Sequence, residues 1–489
     1  MKKSMMKKFA AFTLAAVITV SSFPGSVFAA NAGAEVDYII NNPYETVDWE
    51  SYDQYKADFH AHSQNSDGRN LTSDMVEDHY NKGYDILAMT DHNYTTRGWE
   101  NANKGPVTPE RKAEIEAGVG RDGRGMLDFS YANEQSRTDH INTFMADFNN
   151  DTSAWGAGWS STQKMAHTLA QVEALGGFSH INHMGRYTGA SSSGYVSDAP
   201  SHDPANISKY SYLLRTYPSV VGMEVINKID NESRFDRILW DNLLMELLPE
   251  GRQIWGFSND DTHSLDATGY SFNMMLMPEL TIDATRAAME NGTFYAVARV
   301  SRVDGINATL PDGRNMPGSG NASTLYLLDQ STPSISNISV NQDENVITVE
   351  GADYDTVEWI ADGEVIATGN TIDLNDYEDV INSYVRAQLK SDTGIAFTQP
   401  FSLTVNEPPA MIAYSYSHNG GRFRRGTKSF FETEEGTVIT LATRSDLGMA
   451  KPGHKFLGWS ANGSDEILEP GSQYTLEEYT QFTAVWKKL

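Results

Sequence analysis

The chain contains no cysteine. No disulfide can staple it, and no thiolate can act as nucleophile or metal ligand, so any metal must be held by nitrogen and oxygen. Positive charge is also scarce. Against 65 Asp and Glu stand 37 Lys and Arg, for a formal net charge of −28. A field of that sign disfavours long-range attraction to nucleic acid or an anionic membrane. It says little about a small substrate, because bound cations can reverse the local field inside a cleft. Past the N-terminus no apolar run approaches the roughly 20 residues of a spanning helix. There is no strong tandem repeat, no long low-complexity tract, and no serine in a recognisable nucleophile elbow.

What is present begins with a targeting pattern. Lys2, Lys3, Lys7 and Lys8 flank a short apolar run from Phe9 to Val20. Pro24 and Gly25 break it, and Val27-Phe28-Ala29-Ala30 offers small residues for cleavage. This predicts a secretory signal peptide over 1–30, hence a secreted protein without a transmembrane anchor. A secreted chain free of cysteine suits a Gram-positive type of exporter. With 489 residues, several domains are expected.

From Asp37 to Val300 short apolar runs alternate with helical patterns. The runs include Tyr84 to Met89, Gly177 to Ile181, Val220 to Ile226 and Gln253 to Phe257. The helices are expected over Ser73–Lys82, Thr162–Leu175, Arg234–Leu248 and Ile282–Asn291. Buried strands alternating with helices imply a parallel sheet or barrel. Several runs end in polar groups: Thr90-Asp91-His92, Asn182-His183 and Ser258 to His263. Carboxyl ends of strands carry the active site in such folds, so these residues are expected on one rim. A Gly-, Pro- and Asn-rich linker follows from Asn307 to Gly320. Then Asn345 to Val349, Val357 to Ile360 and Ser383 to Leu389 read as strands of a small β-sandwich, with Trp359 in its core and a turn at Asp362-Gly363. Pro408 and Pro409 mark the last boundary. The expected division is 1–30, 35–305, 325–406 and 410–489.

Ten of the 12 histidines precede residue 264. His60 and His62 sit two apart, which on a strand puts both rings on one face, where they can chelate one metal. Asp261 and His263 repeat the spacing at another strand end. Asp91-His92 and His183 occupy two more.

This order of motifs resembles the polymerase and histidinol phosphatase (PHP) family. The matching residues are Asp58-Phe59-His60-Ala61-His62, Ser66-Asp67-Gly68, Thr90-Asp91-His92, Asn133-Glu134, His140, Asn182-His183 and Asp261-Thr262-His263. The resemblance covers about Tyr38 to Val300. It implies a distorted (β/α)7 barrel with up to three divalent metals at its carboxyl end. His60, His62, Glu134 and Asp261 would bind the first. Glu134 would bridge to a second, held also by His140 and His183. Asp67, His92 and His263 would hold a third. Zn, Mn and Fe all suit such mixed N/O donors. The chain departs from many relatives in having Met184 after His183, and in a long Gly-rich segment between His92 and Glu134.

Asp58 and Asp91 are expected to accept ring N–H groups of the ligand histidines. Arg186 is expected to pair with a substrate phosphate, and Asp261 or His263 to assist proton transfer. His79, His167 and His202 lack a partner motif. His180, three before His183, points to the opposite strand face and is expected to be structural. The loops 95–126 and 187–206 are expected to shape the substrate pocket.

The C-terminal segment resembles an internalin-type B repeat, a β-grasp-like surface module, through Phe456-Leu457-Gly458-Trp459 and Ala484-Val485-Trp486. Its aromatics are expected to form a core, and its role to be spacing or attachment at a cell surface. The leading expectation for the whole is a phosphoesterase in which a hydroxide shared by metals attacks a small-molecule or cell-surface phosphoester in line. The same site could serve a carboxylic ester or carbamate hydrolase, or persist in a non-catalytic surface-binding protein.

Overall fold

Residues 36–149, 152–191, 196–230, 232–306, 328–405 and 411–489 are described by the computed structural model. The signal peptide and the linker at 307–320 lie outside them. The chain opens with β1 (Tyr38–Asn41), β2 (Asp53–Ala61), α1 (Thr72–Asn81), β3 (Ile86–Met89), α2 (Pro109–Glu116), β4 (Leu127–Asp128), β5 (Asn133–Gln135) and β6 (Ile141–Phe144). It continues through α3 (Ser161–Ala174), β7 (Phe178–Ile181), α4 (Gly185–Thr188), α5 (Pro204–Thr216), β8 (Val220–Asn227), α6 (Asp236–Leu247), β9 (Trp255–Asn259), β10 (Ser271–Met277), α7 (Ile282–Asn291) and β11 (Phe294–Ala298). The result is a mixed α/β protein.

Local sequence explains several boundaries. Ser160 accepts from the N–H of Gln163, whose side chain returns to the Ser160 N–H, so α3 starts on a capping box. Thr281 caps α7, and Gly292, at φ 75°, ends it in the left-handed region. All residues of β3, β7, β8 and β9 are buried, as expected for strands covered on both faces.

The strands form two sheets that meet edge to edge. One runs β10-β2-β3-β4 and the other β5-β6-β7-β8-β9. An isolated parallel bridge between Ala61 and Thr262 joins β2 to the end of β9. Bridges His92–Glu134 and Thr96–Ala132 span the other gap. Pairs β2–β3, β3–β4, β7–β8 and β8–β9 are parallel. Beside these parallel pairs, β5–β6, β6–β7, β2–β10 and β10–β11 are antiparallel, so the parallel sheet or barrel expected from the sequence is mixed in direction. For β5 and β6 the cause is the short link over 136–140, since a parallel pair needs a crossover of about a dozen residues. Phe59 packs edge-on against Phe129, Phe144 and Phe257 at 5.8–6.3 Å. Its neighbours His60 and His62 face the other way.

The C-terminal half adds β12 (Ser334–Asn341), β13 (Val346–Ala352), β14 (Thr356–Ala361), β15 (Glu364–Thr368), β16 (Thr371–Asp373), β17 (Tyr384–Ser391), β18 (Gly394–Phe397) and β19 (Phe401–Val405). Only β12, β13 and β16 make a sheet of their own. The strand β18 pairs with β11, β17 with β18 and β19, and β19 with β1. Backbone hydrogen bonds therefore cross the boundary expected between 305 and 325. Trp359 is fully buried, with its indole N–H donating to Gly369 O.

Finally come β20 (Met411–Ser417), β21 (Phe430–Glu434), β22 (Val438–Thr440), β23 (His454–Ala461), β24 (Gln473–Thr475) and β25 (Thr480–Lys488). They make a sheet ordered β21-β20-β25-β23, with β20 and β25 parallel, and a separate β22–β24 pair. Trp459, Leu476, Phe482 and Ala484 are fully buried at its centre. Among the described residues no helix is long and apolar enough to cross a membrane.

Candidate metal centre

The ends of β2, β3, β7 and β9, with the β5–β6 hairpin, deliver nine side chains to one place. All nine expected ligands fall within overlapping groups whose donor atoms lie within 4.8 Å of one another: His60, His62, Asp67, His92, Glu134, His140, His183, Asp261 and His263. Glu134 is the hub. Its Oε1 lies 3.1 Å from His60 Nε2, 2.9 Å from His140 Nδ1 and 3.3 Å from His183 Nε2. Its Oε2 lies 2.6 Å from His92 Nδ1 and 3.5 Å from His62 Nε2. Asp261 Oδ1 faces His60 Nε2, His62 Nε2 and His263 Nδ1 at 3.4, 3.1 and 3.4 Å. Asp67 Oδ1 closes the outer side, 3.2 Å from His263 Nε2 and 3.5 Å from His92 Nε2.

The donor set fits divalent cations. His60 Nε2, His62 Nε2, His92 Nδ1, Glu134 Oε2 and Asp261 Oδ1 are buried and close together, as near as 2.6 Å for His92 Nδ1 and Glu134 Oε2, yet none makes a well-aligned hydrogen bond. Leaving a buried polar atom unpaired costs about 1–3 kcal/mol. Cations among them would turn each into a ligand. These His, Asp and Glu clusters could hold metal ions.

Burial and the carboxylates set the electrostatics of the cluster. Burial pushes the Glu134 carboxyl up, but His140 and His60 outweigh it and hold the group well below the usual range. Asp261 follows the same pattern, with burial opposed by His60 and Lys228. Burial, and then His263, lowers His62 to about 3, so its imidazole is neutral, as a ligand must be. His60 is held well above its ordinary value: burial lowers it, but Asp261, Glu224 and Glu134 together prevail.

Positioning bonds differ from expectation at Asp58. Its Oδ1 accepts the backbone N–H of His60 at 3.0 Å, and its Oδ2 lies 3.2 Å from His79 Nε2. The His60 ring instead turns its Nδ1 to Glu224 Oε1 at 2.7 Å. Glu224 went unnoticed because it lies inside the apolar run of β8, where nothing marks it apart from a buried charge. His79 also escaped: its link to Asp58 is made across the fold from α1. Asp91 reaches a ligand ring indirectly, accepting from Ser66 Oγ at 2.7 Å, which stands 3.4 Å from His62 Nδ1. His180 stacks on Phe257 at 4.8 Å, away from the cluster, with burial pushing it down to about 4.

Arg186 is not drawn into the ligand groups. It lies on α4 with its side chain half exposed, 3.3 Å from Glu232. Two further groups nearby were not foreseen. Lys228, at the end of β8, holds Asp261 Oδ2 at 2.9 Å. Tyr187, next to Arg186, packs its ring against His140 and His183.

No family model matches the chain, and no curated protein does. Among solved structures, a two-domain protein from Bacteroides vulgatus containing a predicted PHP-like metal-dependent phosphoesterase is 16% identical over 73% of this chain and 88% of its own, with a TM-score of 0.35. An amidohydrolase from Chromobacterium violaceum is 15% identical over 42% of this chain and 87% of its own, TM-score 0.25. A lesion-specific endonuclease from Pyrococcus furiosus is 15% identical over 49% and 56%, TM-score 0.28.

Proposed function

We propose that the chain is a secreted metal-dependent phosphoesterase of the PHP type, built on a distorted (β/α)7 barrel and using up to three divalent cations. The observation that carries this reading is the convergence of nine N and O donors, several of them buried without well-aligned hydrogen bonds. The edge-to-edge closure at Ala61–Thr262 supports the barrel. The cations would lower the pKa of water to roughly 7 and neutralise charge developing on phosphoryl oxygens. His60, His62, Glu134 and Asp261 would hold one, Glu134, His140 and His183 a second, and Asp67, His92 and His263 a third. The grouping of His62 with Asp67, His92 and His263 within ligand reach also suits His62 to that third position.

The chain's own groups divide the remaining work. With a cation bound, Glu224 would fix the neutral His60 tautomer by accepting the Nδ1–H, leaving Nε2 for the metal. His263 donates Nδ1–H to Asp261 O at 2.9 Å, so its Nε2 also faces inward as an acceptor. Of the two candidates for moving a proton, His263 has a side chain 27% exposed and Asp261 one 5% exposed, so solvent reaches His263 more readily. Arg186 stands at the rim for an anionic group. For 410–489 we propose a B-repeat, β-grasp-like role in surface association; the parallel β20–β25 pair and buried Trp459 support it.

Purified protein loaded separately with Mn, Zn or Fe, then assayed on phosphomonoester, phosphodiester and carboxyl-ester chromogens, tests the reading. Phosphate-ester turnover, lost with metal in His60→Ala and His263→Ala but kept in His180→Ala, is expected. Turnover of carboxyl esters alone would assign the carboxylic ester or carbamate chemistry instead. Protein that binds no metal would overturn the proposal.

A further inference from the structure

Beside the donor cluster, on the side where β7 and β8 end, stand two polar groups that metal binding leaves with spare donors. Lys228 Nζ lies 2.9 Å from Asp261 Oδ2, and 32% of its side chain is exposed. An ammonium carries three N–H donors, and Asp261 engages one face of it. The Lys228 backbone has φ 56°, a left-handed conformation that costs a residue with a side chain. Two bonds hold it there: Lys228 N–H donates to Asn259 O at 2.9 Å, and Ser271 Oγ donates to Lys228 O at 2.6 Å. His183 and Asp261, at the neighbouring strand ends, are also at positive φ, 25° and 42°. Three consecutive strand ends thus turn unfavourably and bring their side chains to one cluster.

Tyr187 supplies the second group. Its ring centroid is 5.3 Å from that of His140 and 5.9 Å from that of His183. Its hydroxyl is buried and has no hydrogen-bond partner. A phenol O–H placed this way is a donor without an acceptor, and a bound oxyanion would satisfy it. Arg186, adjacent on α4 and half exposed, adds positive charge at the same rim.

We propose that Lys228 and Tyr187 form a recognition subsite for the terminal oxygens of a dianionic phosphomonoester. The inference rests on the phosphoesterase reading above and narrows its substrate class. A monoester dianion offers more unesterified, charged oxygens than a diester monoanion, and a carboxyl ester offers no charge. A cation and an unpaired O–H beside the donor cluster therefore favour them in that order.

The test uses the full-length, metal-loaded protein. Binding of inorganic phosphate is measured by titration calorimetry. Kinetics follow 4-nitrophenyl phosphate, bis(4-nitrophenyl) phosphate and 4-nitrophenyl acetate, with metal content recorded for each variant. Lys228→Met and Tyr187→Phe are each expected to weaken phosphate binding and raise KM for the monoester by about tenfold, the scale of a charge-assisted hydrogen bond. They should change the diester less and the acetate least, and Lys228→Arg should recover part of the loss. Because Lys228 touches Asp261, Tyr187→Phe decides the matter if Lys228→Met loses metal. Wild-type protein that binds phosphate and cleaves the monoester, with Tyr187→Phe unchanged in both, would overturn the subsite. Wild-type protein that neither binds phosphate nor cleaves any phosphate ester would overturn the phosphoesterase reading itself, and the subsite with it.

Discussion

Glu224 has no solvent access, and each of its oxygens is spoken for. Oε1 takes His60 Nδ1–H at 2.7 Å and Asn259 Nδ2–H at 2.9 Å. Oε2 takes the backbone N–H of His183 at 3.0 Å and Asn227 Nδ2–H at 2.9 Å. One side chain therefore sets the ring of one histidine of the candidate metal site and the backbone of another. An amide cannot accept at all four positions, so Glu224→Gln should weaken metal binding by about 10- to 100-fold, measured by competition with a chromophoric chelator. Asp230 makes a different prediction. Burial raises its carboxyl to about 7, although the Arg302 backbone N–H opposes the shift. A carboxyl with a raised folded-state pKa binds protons in the fold that the unfolded chain has already released. Its stabilisation is complete below about pH 4 and is lost as pH rises through about 7. Asp230→Asn, which keeps an acceptor for Arg302, should raise the melting temperature at pH 8 by more than at pH 5. Equal shifts at both would show that Asp230 does not titrate in this range. Residue identity was the most legible level in the sequence: the spacing of His60, His62, Asp261 and His263 pointed to chelation before any fold was known. What stayed hidden were residues such as Glu224 and Lys228, whose roles come from contacts across several strands.

At the level of elements, periodicity located the helices α1, α3, α6 and α7 to within a residue or two. It did not reveal strand direction. The antiparallel β5–β6 hairpin, which brings His140 to Glu134, follows from a short link and not from any hydrophobic pattern. Nor did it reveal how α6 engages the later strands. Asp241 on α6 accepts from Arg386 Nε at 2.8 Å and Nη2 at 2.7 Å, and from the Tyr384 hydroxyl at 2.7 Å. Arg386 also lies over the Trp240 ring at 5.2 Å. Asp241 and Arg386 are both nearly inaccessible, at 5% and 1% side-chain exposure. Arg386→Met strands a buried carboxylate, so it should cost about 3–5 kcal/mol, read as a lower urea midpoint. Changing both partners to apolar residues should recover much of that loss. A single variant as stable as wild type would mean that α6 does not depend on this pair.

For the molecule as a whole, the sheet that carries part of the site continues into strands far along the chain. A chain ended at Ile306 would lose β18, one of the two partners of β11, and β19, the partner of β1, leaving β11 as an open edge and β1 unpaired. Such a truncation should aggregate or melt without cooperativity in calorimetry. One ended at Val405 should keep its metal content and its main transition, because residues 411–489 pair their strands among themselves. The sequence suggested the opposite emphasis, a break near 305–325, because linker composition is visible and strand partnership across it is not.

That same sheet has a temporal side. Tyr38 to Asn41 pair with Ser402 to Val405, so the first described strand waits for one synthesised much later. Until the late strand appears, β1 has no strand partner, and the loop to be closed runs from Asn42 to Phe401. The β1–β19 ladder is therefore one of the last contacts that a chain made from its N-terminus can complete. That edge of the sheet closes only after the strands between have been made.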